Sequence, residues 1–205
     1  GRCLIIDNTI MAYANASGTT YNIPDSVTTI GYEAFYLCDS LTSVNIPESI
    51  TTIGDWAFYG CTSLTSVNIP DSVTTIGNYA FRDCTSLTSV NIPDSVTTIG
   101  EYAFYHCDSL TSVNIGNSIT TIGQGAFAAC SNLKEFTGKY AADGGRCLII
   151  DNTIIAYARA SGTTYNIPDR VTTIGQSAFY NCHSLTSVNI PDSVTTIGDY
   201  AFDGC

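Results

Sequence analysis

A chain of 205 residues that is 44% hydrophobic is long and apolar enough to bury a core, although only 12% of its residues are charged. Its 18 acidic and 7 basic residues leave a net charge of −11, which repels phosphates and argues against nucleic acid and anionic membrane surfaces as partners. No stretch approaches the roughly 18 consecutive apolar residues of a membrane-spanning helix, so membrane insertion is not expected.

Residues 1–17 open the chain with GRCLIIDNTIMAYANAS. Two apolar runs within residues 3–14 are joined by Asp7 and Asn8, residue types that tolerate the positive φ of a two-residue hairpin turn. A hairpin is expected there, taking the place of the third side of a repeat.

Residues 18–132 hold five 23-residue repeats. The copy from Leu64 to Ser86 reads LTSVNIPDSVTTIGNYAFRDCTS. Val67 and Ile69 alternate with Ser66 and Asn68, which describes a short strand with one apolar face. Pro70 cannot donate to a ladder, and Asp71 and Ser72 bond readily to their own backbone, so a turn ends the strand. Val73 and Ile76 then point inward, Gly77 permits a corner, and Ala80, Phe81 and Cys84 fill a short helical or irregular third side. A single repeat cannot bury so many apolar groups, so its stability has to come from stacking.

Residues 133–161 form a 29-residue variant in which the AADGG segment, 141–145, reads as a loop leading into a second hairpin. Residues 145–175 repeat residues 1–31 with three substitutions: Met11 becomes Ile155, Asn15 becomes Arg159 and Ser26 becomes Arg170. Residues 162–205 add two repeats, the last truncated, so the whole reads as one array of about eight turns that starts and stops in mid-pattern, as a stretch of a longer array would.

Cys38, Cys61, Cys84, Cys107 and Cys130 fall 23 residues apart, as do Cys182 and Cys205. Stacked with parallel Cβ vectors about 4.8 Å apart, such thiols suit neither a relaxed disulfide nor a tetrahedral metal site, and read as small buried fillers. Cys3 and Cys147 stand outside the column and are left open as to pairing or exposure.

The recurring pattern Leu64, Val67, Ile69, Pro70, Val73, Ile76, Gly77, Ala80, Phe81 and Cys84 resembles the BspA-like leucine-rich repeat. The resemblance implies a β-rich or α+β right-handed solenoid with a parallel sheet and hairpin insertions. It also implies an extracellular or cell-surface location and, in some relatives, adhesion to host matrix proteins or other microbes. It brings no catalytic residues and no cofactor.

Three surfaces stand out. One is an aromatic column of Trp56, Tyr79 and Tyr102 with Tyr36, Tyr59 and Tyr105 beside it, interrupted at Gly125 and Ser177, whose rings suit sugar or protein partners. A second is the strand face of Ser66, Asn68, Ser89, Asn91, Ser112 and Asn114, broken by the charged rung of Lys134 and Glu135. The third is an acidic column, Asp25, Glu48, Asp71, Asp94, Asp169 and Asp192, read as solvated turn residues rather than a metal site. His106 and His183 have no partner implied by the pattern, and no nucleophile or acid–base set is evident, so no enzyme is expected. The expected role is adhesion to a protein or glycan, host matrix or mucin included, with self-association through array ends or hairpins. The alternative is a spacer or stalk.

Overall fold

The computed structural model describes residues 3–14 and 18–205; residues 15–17, together with Gly1 and Arg2, lie outside the described residues. The chain is a β-solenoid of about eight turns, and its described residues contain no helix. The first side of each turn is the expected strand, as at Ser43–Asn45, Ser89–Ile92 and Ser112–Ile115. These strands pair in parallel with each residue opposite its copy 23 positions on, Ser89 against Ser112 and Val90 against Val113.

The second side holds an element that the sequence pattern did not announce. The Thr-Ile pairs Thr29–Ile30, Thr52–Ile53, Thr75–Ile76, Thr98–Ile99 and Thr121–Ile122 form a second parallel sheet. A two-residue strand has no visible period, and only its repetition makes a ladder. Gly77 follows this strand because a Cβ there would lie 2.6 Å from the Asp55 backbone nitrogen of the turn before.

The third side resolves the helical-or-irregular alternative as overlapping turns. The amides of Ala57, Tyr59, Cys61 and Leu64 return to the carbonyls of Gly54, Trp56, Phe58 and Cys61 at 3.0–3.4 Å. The intervening amides of Trp56, Phe58 and Gly60 donate forward to Asn78, Ala80 and Arg82 of the next turn at 2.7–2.9 Å. That geometry needs left-handed residues, and Trp56, Tyr79 and Tyr102 take φ of 60°, 58° and 53°. The strand sides donate the other way, Thr74 to Thr51 and Gly77 to Ile53 of the preceding turn.

Inside, Phe35, Phe58, Phe81, Phe104 and Phe127 stack in register with centroids 4.8–5.4 Å apart and planes within 6°. The cysteine column is buried and unpaired as far as Cys182, and opens to solvent at Cys205. Each thiol also has a role beyond filling: Cys61, Cys84, Cys107 and Cys130 donate to the carbonyls of Phe35, Phe58, Phe81 and Phe104 at 3.1–3.2 Å. Cys147 is buried against the Tyr165 hydroxyl at 2.7 Å.

Both hairpins form, Cys3–Ile6 with Thr9–Tyr13 and Cys147–Ile150 with Thr153–Tyr157. Asp7, Asn8, Asp151 and Asn152 sit at positive φ in their turns. Contrary to expectation, they stand on the second side and do not take the place of a third. The second strand of each enters the second sheet, pairing Thr9 with Thr29 and Thr153 with Thr173, because residues 9–10 and 153–154 repeat the Thr-Ile of that ladder. The expected 141–145 loop is shorter than its sequence suggests, since Ala141–Ala142 pairs antiparallel with Cys147 and Leu148. The internal hairpin also divides the second sheet into seven-stranded and five-stranded parts and the core into two clusters. Leu148 is fully buried, whereas Leu4, its counterpart in the first hairpin, is 54% exposed.

Truncating Phe104 to Ala is expected to cost about 3–5 kcal/mol in denaturant unfolding, whereas Ser89→Ala on the exposed strand face should stay within about 0.5 kcal/mol. Burial raises the thiols, Cys130 to about 12 and Cys38 and Cys147 to about 11. Because the folded values are raised, their contribution is complete below about pH 9, the range of a free thiol, and is lost as pH climbs toward the folded values. Chemical unfolding from pH 8 to 11 should therefore show stability falling steadily above pH 9.

Candidate functional site: an aromatic ladder on the third side

The six aromatics picked out from sequence come together on the outer surface of the third side. Trp56 stacks on Tyr79 at 4.4 Å and Tyr79 on Tyr102 at 5.4 Å, while Tyr36 stacks on Tyr59 at 5.1 Å. The two columns touch where Trp56 meets Tyr59 at 4.9 Å and Tyr102 meets Tyr105 edge-on at 5.6 Å. Tyr36 is exposed and the other five rings are half-buried, so edges and upper faces remain open to solvent. Such rings present broad apolar surface with polar rims at low conformational cost.

Arg82 completes the arrangement, and the sequence reading passed over it. It stands where four other turns carry Tyr36, Tyr59, Tyr105 and Tyr180, and its guanidinium lies 5.7, 5.6 and 4.8 Å from the rings of Tyr59, Tyr79 and Tyr105. A cation over ring faces continues the column without a ring. The signal was a departure from the repeat, not a motif.

The ladder ends differently from a simple gap. At Gly125, with φ of 61°, a Cβ would come 2.6 Å from the Tyr102 ring, so that ring closes over the glycine. Ser177 is buried, and Tyr180 from beyond the internal hairpin reaches back to Tyr105 with centroids 6.2 Å apart. Burial and the bond to Tyr180 push Tyr105 up to about 12. A cavity of about 380 Å³ opens at this junction between Arg82, Tyr102, Tyr180, Tyr200 and Asp203.

The strand face lies on another side of the solenoid. Ser66, Asn68, Ser89, Asn91 and Asn114 are exposed and Ser112 is half-buried; Asn114 donates to Asn91 at 2.6 Å. Lys134 and Glu135 are exposed on the last rung of that sheet, beside a hollow they share with Arg146. In the acidic column, the Asn117 amide donates to Asp94 at 2.8 Å, and together with the Asn117 side chain holds its carboxyl below the usual range.

Architecture and repeat geometry together define a leucine-rich-repeat-like β-solenoid. The sequence matches the BspA type leucine rich repeat region in six copies across residues 8–137 and 152–205, and the chain belongs to that family. Among solved structures it is similar to a leucine-rich repeat protein of T. pallidum at 28% identity and a TM-score of 0.70, covering 99% of this chain and 85% of that one. It also resembles leucine-rich repeat proteins of Bacteroides ovatus (30% identity, TM-score 0.54, 91% of this chain and 46% of that one) and Eubacterium ventriosum (25%, 0.61, 96% and 58%). The chain thus spans less than two thirds of those two proteins. No curated protein matches.

Replacing Tyr79 by Ala should uncover Trp56, the only tryptophan, shifting its emission to the red and raising acrylamide quenching. The stability cost should be about 1 kcal/mol, because Tyr79 is only half-buried.

Proposed function

We propose that this chain is a surface-exposed or secreted adhesion array that engages a protein or glycan through the aromatic ladder. The observation that carries the reading is the stacked run from Trp56 through Tyr79 to Tyr102, flanked by Tyr36, Tyr59 and Tyr105 and braced by Arg82. Sugar rings lie flat on such surfaces, and peptide side chains pack between their edges. An extended rank of weak subsites suits a repetitive ligand such as a mucin or matrix protein, since linked contacts gain by effective concentration. The family resemblance supports the location and the lack of catalysis. Self-association through the hairpins belongs to the same reading and is supported by the exposed Leu4, Ile6 and Met11.

A spacer or stalk is the second reading, and the monotony of the strand face favours it. Binding of the purified array to immobilised matrix proteins, mucins and glycans separates the two. Saturable binding lost in a folded Trp56→Ala, Tyr79→Ala, Tyr102→Ala triple variant is the expected result. Binding kept by that variant would move the site to the strand face with Lys134 and Glu135, and no binding by the parent would leave the stalk.

A further inference from the structure

The third side is interrupted where the internal hairpin follows Cys130, and the interruption gathers two of the chain's arginines and both of its histidines. Only seven Lys and Arg and two His occur in the sequence, yet Arg82, Arg159 and both histidines, His106 and His183, line one notch of about 440 Å³. In a chain built of near-identical copies, these are departures from the pattern. Arg82 replaces the column tyrosine, and Arg159 is one of the three differences between two otherwise identical 31-residue segments.

Some donors in this notch are left over, while Asp83, which lines it, and Asp108 are occupied. Arg159 meets no carboxylate among the described residues; its Nη1 lies 3.5 Å from the Ser131 hydroxyl, and its Nε is buried without an acceptor. In each preceding turn the forward amides of the third side find carbonyls, Asp83 donating to Tyr105 and His106 to Ala128. Those of Gly125, Phe127 and Ala129 face the break and meet no acceptor among the described residues, and Ala129 lines the notch. By contrast, Asp83 takes Arg82 Nε at 3.4 Å and His106 Nδ1 at 2.7 Å, and Asp108 takes His106 Nε2 at 3.0 Å and the Ser131 hydroxyl. His183 spends Nδ1 on the Gly204 carbonyl at 2.6 Å, leaving Nε2 uncommitted.

Buried donors without acceptors are costly, and successive forward-facing amides beside a guanidinium form an anion-binding concavity. We propose that this notch binds an oxyanion, a sulfate or phosphate group, between Arg159, Arg82 and the Ala129 amide. Arg159 offers a planar fork of donors that matches two oxygens of such a group. The net charge of −11 disfavours a polyanion, so the fitting ligand carries isolated oxyanions. The inference does not depend on the adhesion reading, because the ladder can fail as a binding surface while the notch still takes an anion.

The test is a titration of ¹⁵N-labelled protein with sodium sulfate, then phosphate, against sodium chloride at matched ionic strength, following the Ala129 amide and Arg159 Nε. Saturable shifts with the oxyanions and not with chloride are expected. Arg159→Asn and Arg82→Tyr should each weaken binding at least tenfold with the rest of the spectrum unchanged. Both substitutions restore residues that the array itself uses, Asn15 in the first copy and tyrosine in four other turns, so the fold should hold. A 6-sulfated N-acetylglucosamine beside the unsulfated sugar then tells a sulfate ester from a free ion: a shift with the ester alone assigns the site to a decorated glycan, and a shift with free ions alone assigns it to the ions. Linear shifts, shifts shared with chloride, or unchanged affinity in both variants would overturn the proposal.

Discussion

Each turn leaves alternate amides on its third side facing forward, as at Trp56, Phe58 and Gly60, and only the following turn can supply their carbonyls. The strand sides impose the mirror-image demand, with Thr74 and Gly77 donating backward to Thr51 and Ile53. Each turn within the regular run is therefore held from both directions. The strict spacing of 23 residues follows from this, as does the register of the phenylalanine stack and the thiol column. Apolar burial obeys the same rule: one leucine is covered at position 148 and bare at position 4, although the surrounding sequence is shared.

Much of this was legible in the sequence because repetition multiplies weak signals. The strands, the buried columns, the hairpins with their Asp-Asn turns and the family pattern could all be read. What escaped was whatever has no period of its own. The Thr-Ile pair is too short to look like a strand, and no local rule places an aromatic such as Trp56 or Tyr79 in the left-handed region. There the forward bonds to Asn78 and Glu101 outweigh local preference. The aromatic ladder could be guessed from its spacing. The notch could not, because Arg82, Ala129 and Arg159 meet only through the break made by the hairpin.

That break also suggests how a monotonous array acquires individuality. Copying a repeat copies its surface, so the first side offers the same Ser-Asn rung again and again. Distinct chemistry arises where copies diverge or stacking is interrupted, and here both occur together. The ladder runs into the junction, Tyr180 crosses to Tyr105, and basic residues collect beside it. Recognition at this end would combine ring faces with a compact charged pocket, a pairing that suits an acidic or sulfated sugar better than a purely apolar partner.

The stacking of turns depends on the forward amides being satisfied by the next turn, and native-state hydrogen exchange tests that directly, residue by residue. The amides of Phe58, Phe81 and Phe104, each bonded across to a following alanine carbonyl at 2.7 Å, should exchange slowly and together through a shared opening. The amide of Phe127, the next rung of the same phenylalanine stack but facing the break, should exchange at least a hundredfold faster. Equal protection at Phe104 and Phe127 would contradict the account, as would independent exchange of neighbouring rungs.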